Sequence, residues 1–279
     1  MKKIFFLSLL FVVFNARAQD GIVFKMKYLP GHNYCTVSNT SVTCNISLSG
    51  DQKIIDQLSS QGFTQPLAVN MESTGIGSIK SGDADKNNTF PMVFDFNRAR
   101  FVFTVNGKDV PLPAKNTNIK VYLHSNIDGK YTPDSLVGGN LKDTSAQMIL
   151  KLLGTIRNEI KFPDHPLLVG DSFTQDVPIN IPTAGSNISL AIKIVYKLAK
   201  IADGKAFFDV DQKMDMQIPV KQSSVTLTGT GSGNLVYNTK ENVPTDFKST
   251  LNIKFNGSIE AVNISGSAIL NTDYKITIN

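Results

Sequence analysis

Several short stretches carry residue types that could do chemistry. Gly170–Phe173 reads GDSF, the form of an activated-serine block. Such a serine needs a base and an orienting acid within hydrogen-bond reach. Asp164-His165 precedes Ser172 with the wrong spacing and the flanking residues alternate as strands do, so Asp171-Ser172 reads as a turn that opens a strand. Ser81–Phe90, SGDADKNNTF, offers oxygen ligands for a cation at Asp83, Asp85 and Asn87. A calcium loop also needs a glycine at its sharp bend and a bidentate Glu at its end. Asn88 and Phe94 stand in those places, so a polar hairpin tip is expected, with Asp83, Asp85 and Asn87 as the only metal candidates. GTGSG, Gly229–Gly233, has the glycines of a phosphate loop, but Leu235-Val236-Tyr237 continues as strand where a helix must open. Glycine as a bend in a curved sheet fits better. Asp209, Asp211 and Asp215 share one strand face, which reads as a solvated surface. His32, His124 and His165 are scattered without ligand spacing. Arg98 and Arg100 share another strand face. No catalytic group and no cofactor is implied.

The two cysteines raise a different question. CTVSNTSVTC, Cys35 to Cys44, reads almost the same in both directions about Asn39-Thr40. A chain turning there would set Val37 against Val42 and Cys35 against Cys44, the last at a non-hydrogen-bonded pair with Cα atoms about 4.5 Å apart. That spacing suits a disulfide, which would contribute roughly 2 to 3 kcal/mol in so small a loop. A bridged hairpin is therefore the expectation, consistent with an exported chain.

The elements that must position these residues are mostly strands. Ile192, Ile194, Tyr196 and Leu198 alternate with Lys193 and Lys197, and after Asp203-Gly204 the apolar parity resumes at Phe208 and Val210. Putting Leu198 and Phe208 on one face calls for an odd loop, here a three-residue turn with Gly204 left-handed. Similar strand patterns cover Ile22–Tyr28, Phe101–Val105, Ile119–Leu123, Val225–Thr228, Leu251–Phe255, Ile259–Ile264 and Tyr274–Ile278. Asn106-Gly107, Asp128-Gly129 and Asn256-Gly257 read as turns. Two helices interrupt: a main amphipathic one over 144–160, and a short one over 51–61 with Ser49 as its cap. The fold class is mainly β, with curved antiparallel sheets or an incomplete barrel. Echoes between Gly75–Phe96 and Gly229–Phe247 suggest two related meander halves, spanning 19–142 and 164–279, with a helix and linker over 143–163.

The first eighteen residues have the parts of a secretory leader: Lys2-Lys3, an apolar run from Ile4 to Phe14, and Ala16-Arg17-Ala18 as the cleavage site. Removing them lowers the formal charge from +5 to +2, because Lys2, Lys3 and Arg17 leave with no acid. Neither that charge nor the three remaining arginines, Arg98, Arg100 and Arg157, suits a nucleic-acid partner. No later stretch reaches the roughly 20 apolar residues of a spanning helix. The expected location is periplasmic or extracellular.

YLPGHNY near the start of the mature chain, FPDHPLLVGDSF in the middle, and YKLAKIADGKAFFDV followed by GTGSGNLVY later give the mature chain an ordered set of motifs. In that order it resembles an uncharacterised family of exported β-rich proteins of Gram-negative bacteria. The resemblance implies export and a β-rich fold, and brings no activity or site residues. The functional expectation is an exported, non-enzymatic binding protein that carries a lipid or other apolar ligand. The alternative is a structural or interaction protein of the cell envelope with a filled core, its partner another envelope protein. A hydrolase comes third.

Overall fold

The structure is a computed structural model describing residues 21–60, 64–110, 119–137, 160–183, 186–220, 223–259 and 261–279. The leader over 1–18 and, apart from Ile160, the helix expected over 144–160 lie outside the described residues.

The described residues form one antiparallel sheet of twelve strands that does not close into a barrel. In chain order they are β1 Asn33–Gly50, β2 Leu67–Ser81, β3 Thr89–Val105, β4 Lys108–Asp109, β5 Ile119–Asn126 and β6 Tyr131–Val137. The second group is β7 Ser172–Thr183, β8 Ser186–Ala202, β9 Lys205–Val220, β10 Ser223–Asn238, β11 Val243–Ile259 and β12 Val262–Ile278. The spatial order is β6-β5-β3-β2-β1-β12-β11-β10-β9-β8-β7, with β4 folded back onto β3. Each half is thus a meander, and the two are joined where β1 pairs with β12 along its length, from Tyr34 opposite Ile278 to Gly50 opposite Val262.

Helix α1, Gln52–Ser60, matches the short helix expected there. Its cap is Asp51 rather than Ser49: the Lys53 amide donates to Asp51 Oδ1 at 2.9 Å. This satisfies one of the donors a helix start leaves open.

Two of the expected turns form as read. Asn106 and Gly107 take φ of 50° and 75°, and Gly129 takes 80°. Asn256-Gly257 does not turn. It lies inside β11, where a Cβ at Gly257 would sit 2.3 Å from the Ser224 carbonyl oxygen of β10. That glycine serves close strand approach. The β8–β9 connection also differs from expectation. Ala202 pairs with Lys205 across a two-residue Asp203-Gly204 turn, with φ of 51° and 71°. The odd residue needed to keep Leu198 opposite Phe208 is a bulge, because the register skips Ala199.

The bridged hairpin is overturned. Cys35 and Cys44 are free cysteines on one unbroken strand. Nine residues at about 3.3 Å each separate them by roughly 30 Å, far beyond disulfide reach. Thr40 is β-branched and unsuited to positive φ, and both edges of the strand are already occupied, by β2 and β12. A strand has period two and each mirrored pair is an odd number of residues apart, so the palindrome puts Cys44, Val42 and Thr36 on one face and Cys35, Val37 and Thr43 on the other.

The expected strand over Ile22–Tyr28 is instead an extended strap. It takes its hydrogen bonds from several elements in turn across one end of the sheet. Ile22 bridges Leu167, the Lys27 amide donates to the Asn242 carbonyl at 3.0 Å, and the Gly31 amide donates to the Gly82 carbonyl at 3.0 Å. Two buried tyrosines clamp it: Tyr237 Oη donates to the Lys25 carbonyl at 2.6 Å, and Tyr34 Oη accepts from the Leu29 amide at 2.8 Å. Phe24 enters the core of β7–β11 against Phe162 and Tyr237, with ring centroids 5.4 and 5.2 Å away. Tyr28 packs on the second core, built on Tyr34, Ile79, Phe90 and Phe94. The His32 ring stacks on Tyr34, with Nε2 3.2 Å from a Glu241 carboxylate oxygen.

Two outcomes follow. The intact mass is expected to show no loss of hydrogens, and thiol titration of the unfolded protein under non-reducing conditions to count both cysteines. Burial pushes the Tyr237 phenol up to about 12 from an ordinary 10.0. The folded state then keeps a proton that the unfolded chain releases between those values. The stability tied to this group is intact below pH 10 and declines as pH rises toward 12. Tyr237→Phe is expected to cost about 1 to 2 kcal/mol at neutral pH, by stripping the Lys25 carbonyl of its donor. It should also flatten the alkaline decline, as read by urea titrations across that window.

Candidate functional site

Strand periodicity gives the sheet two contrasting faces. The inward residues of β12 run Val262, Ile264, Gly266, Ala268, Leu270, Thr272, Tyr274 and Ile276, while Asn263, Ser265, Ser267, Asn271, Asp273 and Lys275 point outward. Register carries the pattern to its neighbours: Leu270 pairs with Val42 on one side and Leu251 on the other. The inward face is therefore apolar toward both ends, with one belt of small and polar residues, Ser73, Thr40, Thr272, Ser249 and Gly233, crossing it in register.

Its two ends differ. At the strap end the interior is filled: Tyr34, Leu198, Phe208, Leu235 and Tyr237 are all within 1% of complete burial. Toward the far end the same parity continues with Val42, Ile46, Met71, Leu227, Ile253 and Phe255, which are only half-buried. Phe101, opposite Ser73 on the inward parity, is 57% exposed. Contiguous apolar surface left open in this way marks a contact site. Burial also pushes the Cys44 thiol up, so it acts here as a small apolar group.

Glycines shape this surface. Gly229, Gly231 and Gly233 of β10 point inward, and a Cβ at Gly233 would stand 2.2 Å from the Lys248 carbonyl oxygen. At Gly266 it would meet the Asn45 oxygen at 2.2 Å and the Phe255 ring at 2.5 Å. The GTGSG stretch thus lets neighbouring backbones close in over β10, which keeps unbroken register there with both neighbours. Other polar side chains also reach the inner face. Gln175 is 8% exposed and accepts from the Lys161 amide at 2.9 Å, while Gln212, opposite Gly231, keeps a buried Oε1 without a hydrogen bond.

The other chemical candidates separate into local structure. Asp85 Oδ1 accepts from the Asn87 and Thr89 amides at 2.8 and 2.9 Å, and Asn88 takes φ of 57°, so the Asp83, Asp85, Asn87 stretch is the β2–β3 hairpin tip. Among the described residues, no group of three or more His, Cys, Asp or Glu is arranged to hold a metal. Asp171 Oδ2 accepts from the Leu168 amide at 2.8 Å and closes the turn that starts β7 at the exposed Ser172. Asp209 and Asp211 are exposed on the outward face, Asp209 opposite Lys197. His165 lies in an exposed bend, and the Arg98 side chain lies outside the described residues. Sequence reading found the inner face strand by strand. It missed the strap and the open end, because both depend on register between strands far apart in the chain.

Fold and face together define a class: a broad single-sheet β protein, apolar within and polar outside. Among the described residues no helix is long and apolar enough to cross a membrane. No family model matches the chain, and no curated protein matches it at a significant level. Among solved structures it is similar to OccK5 (OpdH) of Pseudomonas aeruginosa, with a TM-score of 0.25 and 6% identity over 87% of this chain and 98% of that one. OccK11 (OpdR) of the same organism gives 0.24 and 6%, over 91% and 98%. The translocator domain of the autotransporter NalP from Neisseria meningitidis gives 0.17 and 7%, over 86% and 87%. Likenesses this slight do not extend to a shared function.

Gly233→Val tests the close approach over β10. Its side chain would have to displace the β11 backbone at Lys248, so the variant is expected to lose about 3 kcal/mol. The loss should appear as a lower urea midpoint at an unchanged slope.

Proposed function

We propose that the chain is an exported binding protein without enzymatic activity, which holds an apolar molecule such as a lipid chain against the open end of its inner face. One observation carries this reading: the apolar inward surface is sealed by the strap at one end and half-exposed at the other, up to a 57% exposed Phe101. A surface destined only to be core would be filled along its whole length. One that must admit a ligand keeps apolar area accessible and a closed floor beneath it. Export rests on the leader, and the resemblance to exported β-rich proteins agrees with it. The alternative, a structural protein of the envelope, is favoured by the complete packing at the strap end.

Native mass spectrometry of the protein purified from a bacterial periplasm, compared with its denatured mass, separates the two. A co-purified mass released on denaturation, and lost in Leu227→Asp and Ile253→Asp, is the expected result. A clean unliganded mass, together with failure of the protein to take up a fluorescent fatty acid, would sink the carrier reading and leave the envelope role.

A further inference from the structure

The outward face carries a second feature, independent of the inner one. A cleft of about 550 Å³ lies across the middle of β2, β1, β12, β11 and β10. Each of these strands contributes three consecutive residues, such as Asn39, Thr40 and Ser41 from β1. The central residue of each triplet points inward and the flanking two point outward, so the cleft is a trench whose floor is backbone. Its walls are two polar rows in register. One runs Thr74, Asn39, Asp273, Lys248, Asn234, and the other runs Glu72, Ser41, Asn271, Thr250, Ser232. At the usual strand spacing the trench is about 19 Å long, and two residues of rise set its walls about 7 Å apart.

The walls are pre-set. Thr74 Oγ1 donates to Asn39 Oδ1 at 3.0 Å, Thr250 Oγ1 to Asn271 Oδ1 at 2.8 Å, and Asn271 Nδ2 to Ser41 Oγ at 3.3 Å. Lys248 Nζ lies 3.3 Å from Asp273 Oδ2, which neutralises both charges. Among the described residues, the side chains of Glu72, Ser232 and Asn234 have no such partner and remain available. The groups on offer are amides, hydroxyls and one unpaired carboxylate, with no aromatic ring.

We infer that this trench binds an extended, uncharged, hydroxyl-rich polymer, a glycan strand lying across the β-strands. A peptide in extended form seeks free backbone groups, and the trench floor has none because its strands are paired on both sides. A nucleic acid or other polyanion would meet Glu72 without a free cation. Hydroxyls that both donate and accept match walls built mostly of amide and hydroxyl groups around one neutralised ion pair. Without a stacking platform each sugar ring binds weakly, so affinity comes from many rings held together.

The test is titration of the isotope-labelled protein with neutral cello- and chito-oligosaccharides, from disaccharide to hexasaccharide, followed by amide chemical shifts. The expected result is shifts confined to outward residues of β1, β12 and β11, with affinity rising with chain length until the trench is spanned. The double variant Asn39→Ala, Asn271→Ala should weaken hexasaccharide binding by about tenfold or more, the loss of one or two hydrogen bonds. Ser232→Trp, which fills the trench from its rim, should abolish it. Both variants change exposed residues, and their circular dichroism and fatty-acid uptake should match the parent. No shifts with hexasaccharide at millimolar concentration, or shifts that survive both variants, would overturn the proposal.

Discussion

The pairing of β1 with β12 is the constraint on which the rest of the molecule depends. Other strand pairs join segments close in sequence. This one joins residues at opposite ends of the described chain, Tyr34 with Ile278 and Gly50 with Val262. Without it there would be two separate meanders, the core around Tyr34 and Phe94 would lose Val243 and Ile276, and each meander would have a bare edge of the kind that invites wrong partners. The strap is the second tie, because it sends Phe24 into one core and Tyr28 against the other. Loop-closure entropy grows only slowly with length, so a seam between distant strands costs little equilibrium stability. It costs time, since long-range pairing must wait for the whole chain.

The inner and outer faces follow from one period-two pattern applied to strands of up to 18 residues. A barrel in a bilayer turns its apolar residues outward to lipid and its polar ones inward. Here the polarity is the reverse, with Asn271, Asp273 and Lys275 outside and Leu270, Tyr274 and Ile276 inside. The apolar face therefore meets whatever the sheet encloses, and the polar face meets whatever is dissolved around it.

Local signals were legible in the sequence where a strand's own residues set its conformation. The alternation around Ile192–Leu198, the Asn106-Gly107 turn and the short helix after Gly50 all form as read. Readings failed where a partner strand decided the outcome. Asn256-Gly257 has the composition of a turn, but the approach of the β10 backbone at Ser224 keeps it extended. Ile22–Tyr28 alternates like a strand, yet no single neighbour runs beside it. The bulge at Ala199 is silent in sequence, because it shows only as a break in the register with β9. The outward trench was invisible for the same reason: its walls are single residues from five strands, and only the register lines them up.

The mirrored stretch of β1 has one further consequence. Register in a sheet is enforced because sliding a strand by one residue carries its apolar residues to the wrong face. Between Cys35 and Cys44 that penalty nearly vanishes, since each face already holds the same set of cysteine, valine, threonine and serine. The middle of the seam is therefore indifferent to a slip. Alignment must come from the ends of the strand: Tyr34 is fully buried at the strap, and Ile46 and Leu48 lie inward near α1, opposite outward Asn45 and Ser47. A strand pinned at both ends and tolerant between them can change its central residues in mirrored pairs without losing its place in the sheet.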